Sequence, residues 1–501
     1  MLYLLTNKPQ QFINKLADYS ETTRKGEVIH MNAVKIDTGY ISGTIIGEPG
    51  NEIHIFRGIP YAAPPVGDLR WKPPQPVIPW SGIYECTAFS LNAPQLIITL
   101  PSARPNEPFP FSTIPQSENC LYLNVLTPTK KKNENLPVMV WMHGGGFMFG
   151  SGNELLYNTP RLPQHGVVLV SVNMRLGPIG LLAHPLLSKE SPDGVSGNYM
   201  FLDMIAALKW VQKNITAFGG DPDNVTIFGV SGGSAKVITL MTSPLTKGLF
   251  RRIIAESGSP HSKPLKELEE IGEKVFSKLG INEGKDSLKI ARTLPWQKII
   301  EAEQTLIKEL HVTGRGGLWD TAVDGWFMPD DPHNIFKAGK QHKIDYILGA
   351  NMGELNIGTG TEIIPGYLGL FPGAGKTGCK AYAYIFDQVP RHWRQDGCPS
   401  THAMEVPYVF GDWDNNSGTW SRLFTMYAGL AGAKSEDPGL TDTDKNVSEM
   451  MMTMWTNFAK TGNPSIKGMI NWPAYEEPNE QYLYIAERLE LRSGYSKIMK
   501  R

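Results

Sequence analysis

The sequence Gly229-Val230-Ser231-Gly232-Gly233 fits the pattern G-x-S-x-G, in which a sharp turn between a strand and a helix presents a nucleophilic serine. The flanking residues agree with this pattern. Residues 224–228 are mostly β-branched or aromatic and predict a buried strand, and residues 234–241 can begin a helix. The N-terminus of that helix would surround Ser231 with free N–H groups and a positive dipole end, which favour a negative oxygen. The stretch therefore predicts that Ser231 is a nucleophile.

The pattern alone is loose, and a glycine-rich turn without chemistry is the alternative for Ser231. A second stretch, residues 194–198, reads Gly-Val-Ser-Gly-Asn and lacks only the final glycine. No strand pattern precedes it, because residues 191–193 read Ser-Pro-Asp. We therefore predict that Ser196 is an ordinary loop serine. The choice for Ser231 depends on the rest of the chain.

An acyl-transfer site also needs N–H donors for an oxyanion. Residues 137–142 predict a buried strand that runs directly into His-Gly-Gly-Gly-Phe at residues 143–147, which resembles the HGGG-type oxyanion loop of lipases and esterases. Successive glycines allow several backbone N–H groups to point at one spot. A flexible glycine linker is the alternative, and the apolar residues on both sides disfavour it. The predicted oxyanion donors are Gly145, Gly146 and, directly after the nucleophile, Gly232.

The overall composition allows a large core, since the chain has 501 residues, 41% of them hydrophobic, and a net charge of -1. This charge balance disfavours nucleic acid and anionic membranes as partners. No run approaches the ~20 apolar residues of a transmembrane helix. Because no linker or repeat is visible after residue 35, we predict a polar N-terminal extension over residues 1–31 and a single domain over residues 32–501.

The N-terminus does not read as a signal peptide, because Asn7 and Lys8 end the apolar run of residues 1–5. This slightly favours the cytoplasm, and a secreted mature chain is the alternative. The chain has 4 cysteines, without C-x-x-C spacing and without a cysteine and histidine cluster of the kind that binds zinc. The cysteines therefore do not indicate a zinc site, and the acyl-transfer chemistry predicted for Ser231 needs no metal or organic cofactor. The oligomeric state is left open.

Further segments arrive in the order of one known family: residues 56–62, 64–71, 117–125, 173–177, 218–222, 455–462 and 472–473. On these segments, the serine turn and the glycine loop, the chain resembles the type-B carboxylesterases over residues 35 to 476. These form the carboxylesterase and cholinesterase family of the α/β-hydrolase superfold. The resemblance implies an α/β fold with a large, mostly parallel central sheet flanked by helices. It also implies a serine carboxylesterase that hydrolyses a small-molecule ester to acid and alcohol through an acyl-enzyme.

The resemblance implies a catalytic triad in the order Ser, Glu, His. Residues 347–354 resemble the family's strand end that carries the acid, which indicates Glu354. Residues 401–411 resemble the histidine loop, which indicates His402. The other histidine after the acid, His392, lies in the basic stretch Pro-Arg-His-Trp-Arg, which matches no family pattern. We predict His402 as the general base and His392 as a surface loop residue.

The resemblance also implies supporting roles. Ser257 matches a family serine that supports the acid by hydrogen bonding. Two ion pairs and the first disulfide of the family match the pairs Arg70–Glu118, Arg175–Asp203 and Cys86–Cys120. Cys379 and Cys398 match no family cysteine and are predicted to be buried free thiols. Whether either cysteine pair is bridged is left open.

The chain departs from the family at three places. Val230 stands where the family usually has a glutamate, which disfavours cationic choline esters. The neighbours of Glu354 are Gly and Leu, where the family usually has Asp and Gly. His402 lies only 48 positions after Glu354, closer than is usual in the family, and the reduced Gly- and Pro-rich segment of residues 358–378 predicts a wide and solvent-exposed entrance.

Two alternatives to a carboxylesterase remain. The fold also hosts catalytically inactive adhesion or scaffold proteins. Those lose triad residues, whereas Ser231, Glu354, His402 and the glycines are present here. A lipase or an amidase would use the same triad, because loops that the sequence does not place decide the substrate. The natural ester and the acyl and alcohol preferences are therefore left open.

Overall fold

The computed structural model describes most of the 501-residue chain: residues 29–30, 33–95, 115–129, 134–282, 284–312, 317–354 and 367–499. Of the predicted N-terminal extension, the structure describes residues 29 and 30, which form an edge strand of the central sheet. The rest of that extension lies outside the described residues, and the division at residues 31 and 32 stays a prediction.

The strands are β1 Ile29–His30, β2 Val34–Ile36, β3 Gly39–Ser42, β4 Thr44–Ile46, β5 Ile53–Pro60, β6 Ile83–Glu85, β7 Tyr122–Thr127, β8 Leu136–Met142, β9 Val168–Val172, β10 Gly220–Val230, β11 Arg252–Glu256, β12 Ser262–Pro264, β13 Thr321–Val323, β14 Asp345–Asn351, β15 Ala381–Phe386, β16 Tyr482–Ile485 and β17 Leu489–Arg492. The strands predicted from residues 137–142 and 224–228 are confirmed as parts of β8 and β10.

The α-helices are α1 Arg161–Gln164, α2 Gly177–Leu181, α3 Pro185–Glu190, α4 Tyr199–Asn214, α5 Gly232–Thr242, α6 Leu265–Lys278, α7 Ser287–Thr293, α8 Trp296–Glu309, α9 Pro332–Lys337, α10 Phe371–Thr377, α11 Arg391–Gln395, α12 Val406–Val409, α13 Thr425–Leu430, α14 Asp442–Thr461 and α15 Tyr495–Met499. The longest, α14, begins with a capping box between Thr441 and Asp444 and ends at Gly462, whose φ of 77° places it in the left-handed region.

Within the described residues, the central sheet has 12 strands in the order β1-β4-β5-β7-β9-β8-β10-β11-β14-β15-β16-β17. Pairing is parallel from β9 to β16 and antiparallel at both ends of the sheet. The parallel strands are buried on both faces, so their sequences read as continuous apolar runs. Because parallel strands end on the same sheet edge, loops that follow them are gathered there.

The two faces of the sheet carry separate hydrophobic cores. Along β8, Val138 and Val140 belong to one core, whereas Met139 and Trp141 belong to the other, as the two-residue period of a strand requires. Residues of α4 and α5 complete the first core, and residues of α14 complete the second. The sheet is therefore flanked by helices, as an α/β-hydrolase fold requires.

Both predicted ion pairs are present. Arg70 donates from Nε and Nη2 to the two carboxylate oxygens of Glu118, each at 2.6 Å. Arg175 donates to both carboxylate oxygens of Asp203, at 2.8 and 2.6 Å, and this pair is fully buried. Two-point pairing of this kind satisfies buried charges that would otherwise destabilise the fold.

Replacing Arg175 by methionine is expected to lower the free energy of unfolding by about 3–5 kcal/mol, because Asp203 would stay buried without its cation. Denaturant unfolding followed by circular dichroism measures the change. The control is Lys278→Met, which breaks an exposed pair with Glu309 and should change stability by less than about 1 kcal/mol. Equal effects of the two substitutions would show that the buried pair is not a major stabilising contact.

All four cysteines carry free thiols in the structure. Cys86 and Cys120 are buried and are not joined in the disulfide that the family resemblance suggested. Burial raises the pKa of the Cys86 thiol to about 12, so this thiol is protonated and unreactive near neutral pH. Of the two remaining thiols, Cys398 is buried as predicted, whereas Cys379 is only partly buried.

Candidate active site

Ser231 occupies the turn between β10 and α5, with φ 57° and ψ −122°. A side chain is rarely found at such a positive φ, and the strain is of order 1–3 kcal/mol. The neighbouring glycines allow the turn, because a Cβ atom at Gly229 or at Gly233 would overlap the carbonyl oxygen of Met142. The predicted strand, turn and helix around Ser231 are therefore confirmed.

The glycine loop that follows β8 lies against the serine turn. Gly145 and Gly146 have φ values of 95° and 56°, a left-handed conformation that glycine adopts without strain. An ideal Cβ atom on Gly232 would lie only 2.6 Å from the Gly146 nitrogen. An ideal Cβ atom on Gly144 would lie 3.4 Å from the Ser231 Cβ. The backbones of Gly144, Gly146 and Gly232 thus meet beside the serine, and the role of Gly145 as a donor stays a prediction.

Glu354 and His402 are in direct contact. Glu354 follows β14, and its Oε2 lies 2.6 Å from Nδ1 of His402. The carboxyl group is fully buried, whereas the imidazole keeps 12% of its surface exposed. Burial alone would raise the pKa of Glu354, but His402, Ser257 and the Asn351 N–H hold it below its usual value. The structure therefore brings the predicted acid and base together as a carboxylate–imidazole pair.

Ser257 lies between two buried carboxylates. It follows β11 with a φ of 55°, and its hydroxyl donates to Oε1 of Glu405 at 2.6 Å. Asn351 connects this pair to the predicted acid, because its N–H donates to Oε1 of Glu354 at 3.0 Å and its Nδ2 donates to Glu405. The supporting role of Ser257 stays a prediction, with Glu405 as the direct hydrogen-bond acceptor.

Sequence reasoning assigned no role to Glu405 or Asn351. Both residues lie inside stretches that resemble the family, and Glu405 follows His402 by three positions. Burial and the charge of Glu354 raise the pKa of Glu405 to about 7, although hydrogen bonds from Asn351 and Ser257 act in the opposite direction. A second carboxyl group, that of Glu405, is thus buried beside Glu354 and holds a proton more readily than an exposed glutamate does.

This raised pKa predicts a pH-dependent stability. The folded protein holds a proton on Glu405 up to about pH 7, whereas the unfolded chain releases it near pH 4.3. The stability contributed is present below the unfolded pKa and is lost as the pH rises through the folded pKa. Glu405→Gln does not titrate, so between about pH 4.3 and 7 its stability relative to wild type should rise by up to about 1.4 kcal/mol per pH unit.

Denaturant unfolding at several pH values in this window measures the trend. Glu301→Gln is the control, because Glu301 is exposed on α8 and forms an exposed ion pair with Lys298. A stability difference for Glu405→Gln that is flat across the window would contradict the raised pKa.

A tyrosine hydroxyl lies beneath the serine turn. The Gly258 N–H donates to the Tyr367 hydroxyl at 2.6 Å, and Ser234 Oγ lies 2.8 Å from the same oxygen. A Cβ atom on Gly258 would overlap the carbonyl oxygen of Ser231, so Gly258 packs directly on the turn. No pattern in the sequence pointed to Tyr367, because only the folded chain brings it to Ser234 and Gly258.

His392 and Ser196, to which the sequence analysis assigned no catalytic role, have partners other than the predicted triad residues. His392 is on the short helix α11 rather than in a loop, and its Nδ1 lies 3.7 Å from a carboxylate oxygen of Asp437. Ser196 is buried, accepts a hydrogen bond from the His184 N–H at 3.0 Å and contacts Ser188 Oγ at 2.7 Å. Both residues have structural partners, and the choice of His402 and Ser231 for catalysis stays a prediction.

The shortened segment between the predicted acid and base is only partly described. Residues 355–366 lie outside the described residues, and residues 371–377 form α10. The predicted wide entrance therefore stays a prediction. Across the described ranges, no three His, Cys, Asp or Glu side chains are grouped so that they could hold a metal ion. In the same ranges no helix has the length and apolarity needed to cross a bilayer.

Comparison with known proteins identifies the family. The model of the carboxylesterase family matches residues 30–362 and 370–499, which is most of the chain. The chain belongs to the carboxylesterase family. This carboxylesterase is 33% identical over 500 residues to the para-nitrobenzyl esterase of Bacillus subtilis, covering 90% of this chain and 95% of the relative.

Other relatives of this carboxylesterase are also esterases. It is 33% identical to the fumonisin B1 esterase of Sphingopyxis macrogoltabida, covering 88% of this chain and 84% of that protein. It is similar to a solved para-nitrobenzyl esterase structure with a TM-score of 0.75 and 30% identity, covering 92% of this chain and 97% of that one. The carboxylesterase is therefore a carboxylic ester hydrolase with an α/β-hydrolase fold.

Proposed function

We propose that this carboxylesterase hydrolyses its ester through an acyl-enzyme formed on Ser231, with His402 as the general base and Glu354 as the acid of the triad. The observation that supports this assignment most strongly is the 2.6 Å hydrogen bond between Glu354 and His402. Both residues come after parallel strands of the sheet, and Ser231 comes directly after the parallel strand β10. Because parallel strands end at the same edge of a sheet, this order supports a triad formed by the three residues.

In the acylation step, Ser231 Oγ attacks the ester carbonyl carbon while His402 takes the serine proton. Glu354 accepts a hydrogen bond from the imidazole Nδ1–H, which leaves Nε2 as the proton acceptor and stabilises the imidazolium once it forms. The negative carbonyl oxygen is bound by the N–H groups of Gly145, Gly146 and Gly232. His402 then gives its proton to the leaving alcohol oxygen as the carbon–oxygen bond breaks.

In the deacylation step, His402 takes a proton from water, and the resulting oxygen nucleophile attacks the acyl carbon. The same three N–H groups stabilise the second tetrahedral intermediate. Its collapse releases the carboxylic acid and returns the proton to Ser231. Each oxyanion donor is expected to contribute about 10²–10³-fold to the rate. Side chains and backbone groups of this chain, with substrate water, supply every group in these reaction steps, so no cofactor is invoked.

The residue before the nucleophile disfavours cationic esters. The residue before the serine, Val230, is 4% exposed and apolar. A buried apolar residue there offers no negative charge to a cationic alcohol group. Two relatives are named for para-nitrobenzyl esters and for fumonisin B1, which supports bulky alcohol groups as substrates of this chain as well.

Labelling by a fluorophosphonate tests the proposed nucleophile and separates an enzyme from an inactive homologue. The reagent should form one covalent adduct, located on Ser231 by peptide mass spectrometry, and hydrolysis of p-nitrophenyl butyrate should stop in proportion to labelling. An intact protein that neither reacts with the probe nor hydrolyses p-nitrophenyl esters would support the adhesion or scaffold alternative. Comparing the butyrate with a p-nitroanilide and a long-chain triglyceride separates the esterase from the amidase and lipase alternatives.

A further inference from the structure

One buried cation in the core of the site has no role in the mechanism above. Lys236 lies on α5, five positions after Ser231, and its side chain is fully buried. Its Nζ donates to the carbonyl oxygen of His143 at 2.9 Å. The same Nζ lies 5.9 Å from the centre of the Phe147 ring, within cation–π distance. Lys236 thus contacts the first and the last residue of the glycine loop.

We propose that Lys236 is a positioning residue of the oxyanion hole, holding the loop of residues 143–147 against the helix that follows the nucleophile. This inference rests on the proposed function, in which Gly145 and Gly146 bind the oxyanion. Gly145 and Gly146 have left-handed φ values that glycine adopts no more readily than others, and Phe147 has one that its side chain disfavours. The backbone preferences of the loop therefore do not hold it in this conformation. Contacts at both ends restrict the directions of the N–H groups between them.

The contact at Phe147 continues into the surrounding core. The Phe147 side chain is fully buried, and its ring packs edge-on against Phe201 with centroids 5.7 Å apart. Its carbonyl oxygen accepts a hydrogen bond from the Gly177 N–H at 2.8 Å. The far end of the loop is therefore held by rigid neighbours, and Lys236 connects this end to the His143 carbonyl oxygen.

The charge of Lys236 is unusual for its position. Within the described residues no ion pair is formed by Lys236, and burial lowers its pKa to about 7. Two titratable groups lie near it. His143 is kept neutral, since burial and the Lys236 charge hold its pKa well below the usual value. His261 packs on the Phe147 ring at 4.8 Å and is paired with Asp320.

An unpaired ammonium group is unfavourable in a protein core, and a methionine of similar length would avoid that penalty. The position becomes favourable for catalysis when negative charge develops on the substrate oxygen beside the loop. When Lys236 is protonated, it is a preorganised positive group in a site of low dielectric and stabilises that charge more in the transition state than in the ground state. Loss of Lys236 should therefore affect kcat and not substrate binding.

The test compares Lys236→Met with wild type, Ser231→Ala and the control Thr242→Val. Thr242 lies on the same helix, and its hydroxyl bonds to the Thr239 carbonyl oxygen. For p-nitrophenyl butyrate, Lys236→Met should lower kcat by about 10²-fold, the effect of a misplacement of about 1 Å in a catalytic group, with KM nearly unchanged. The affinity for an aryl trifluoromethyl ketone should fall by a similar factor. The serine oxygen adds to the carbonyl carbon of this ketone while His402 takes the serine proton, and the former carbonyl oxygen becomes an oxyanion in the hole.

Measurements are made at a temperature at which circular dichroism shows every variant to be folded, and Lys236→Gln replaces the methionine variant if that one does not fold. A kcat within twofold of wild type, a change confined to KM, or unchanged affinity for the ketone would overturn the role of Lys236. A wild-type protein without esterase activity would instead overturn the proposed function. The two failures are therefore distinguishable.

Discussion

Replacement of Ser231 by alanine is expected to lower kcat for p-nitrophenyl butyrate by about 10⁶-fold while the protein stays folded. The reason is that no acyl-enzyme forms without the serine oxygen, and the remaining groups only bind the substrate and its oxyanion. An alanine fits the turn, since the strained backbone at φ 57° is held by packing of the glycines on either side. Initial rates and circular dichroism measure the two parts of this result.

Ser196→Ala is a matched control for that experiment. Its surrounding sequence shares four residues with the serine turn, but its hydroxyl bonds to the His184 backbone and to Ser188. This variant should keep wild-type kcat and lose about 1 kcal/mol of stability through its missing hydrogen bond. Near-full turnover by Ser231→Ala at an unchanged circular dichroism spectrum would place the nucleophile elsewhere.

Replacement of His402 by alanine is expected to cause a loss of kcat similar to that of Ser231→Ala, about 10⁶-fold, because members of a triad act as one unit. His392→Ala should leave kcat unchanged, since His392 lies on α11, where its ring faces Asp437 rather than the acid of the triad. Equal losses in the two variants, or a larger loss at His392, would contradict the assignment of the base.

The pH dependence of kcat/KM is a second test of His402 as the general base. A histidine must be neutral to accept the serine proton, so kcat/KM of the wild type should fall as the pH drops below about 6.5, where histidine ordinarily titrates. Glu354 does not produce this limb, because His402, Ser257 and Asn351 outweigh burial and keep its pKa below the usual value of a glutamate. A profile that stays flat down to pH 4.5 would argue against a histidine base.

The amino-acid sequence by itself determined the parts of the site that are built from contiguous residues. The turn at Ser231 needs glycines at 229 and 233, because the Met142 carbonyl oxygen leaves no room for a Cβ atom. The glycine loop needs φ values that other residues rarely adopt. Such local requirements restrict residue types directly, so they are visible in a sequence. Apolar runs likewise predicted the parallel strands before and after these turns.

Only the tertiary structure decided how the buried charges are arranged. Glu405 is joined to Ser257 across 148 positions of the chain, and Lys236 to His143 across 93. Whether a carboxyl or an ammonium group is charged depends on its burial and on the groups that face it, and neither can be read from neighbouring residues. The sequence therefore predicted the nucleophile, its oxyanion loop and, by family resemblance, its acid and base. The second carboxyl group and the buried cation became visible only when distant segments packed together.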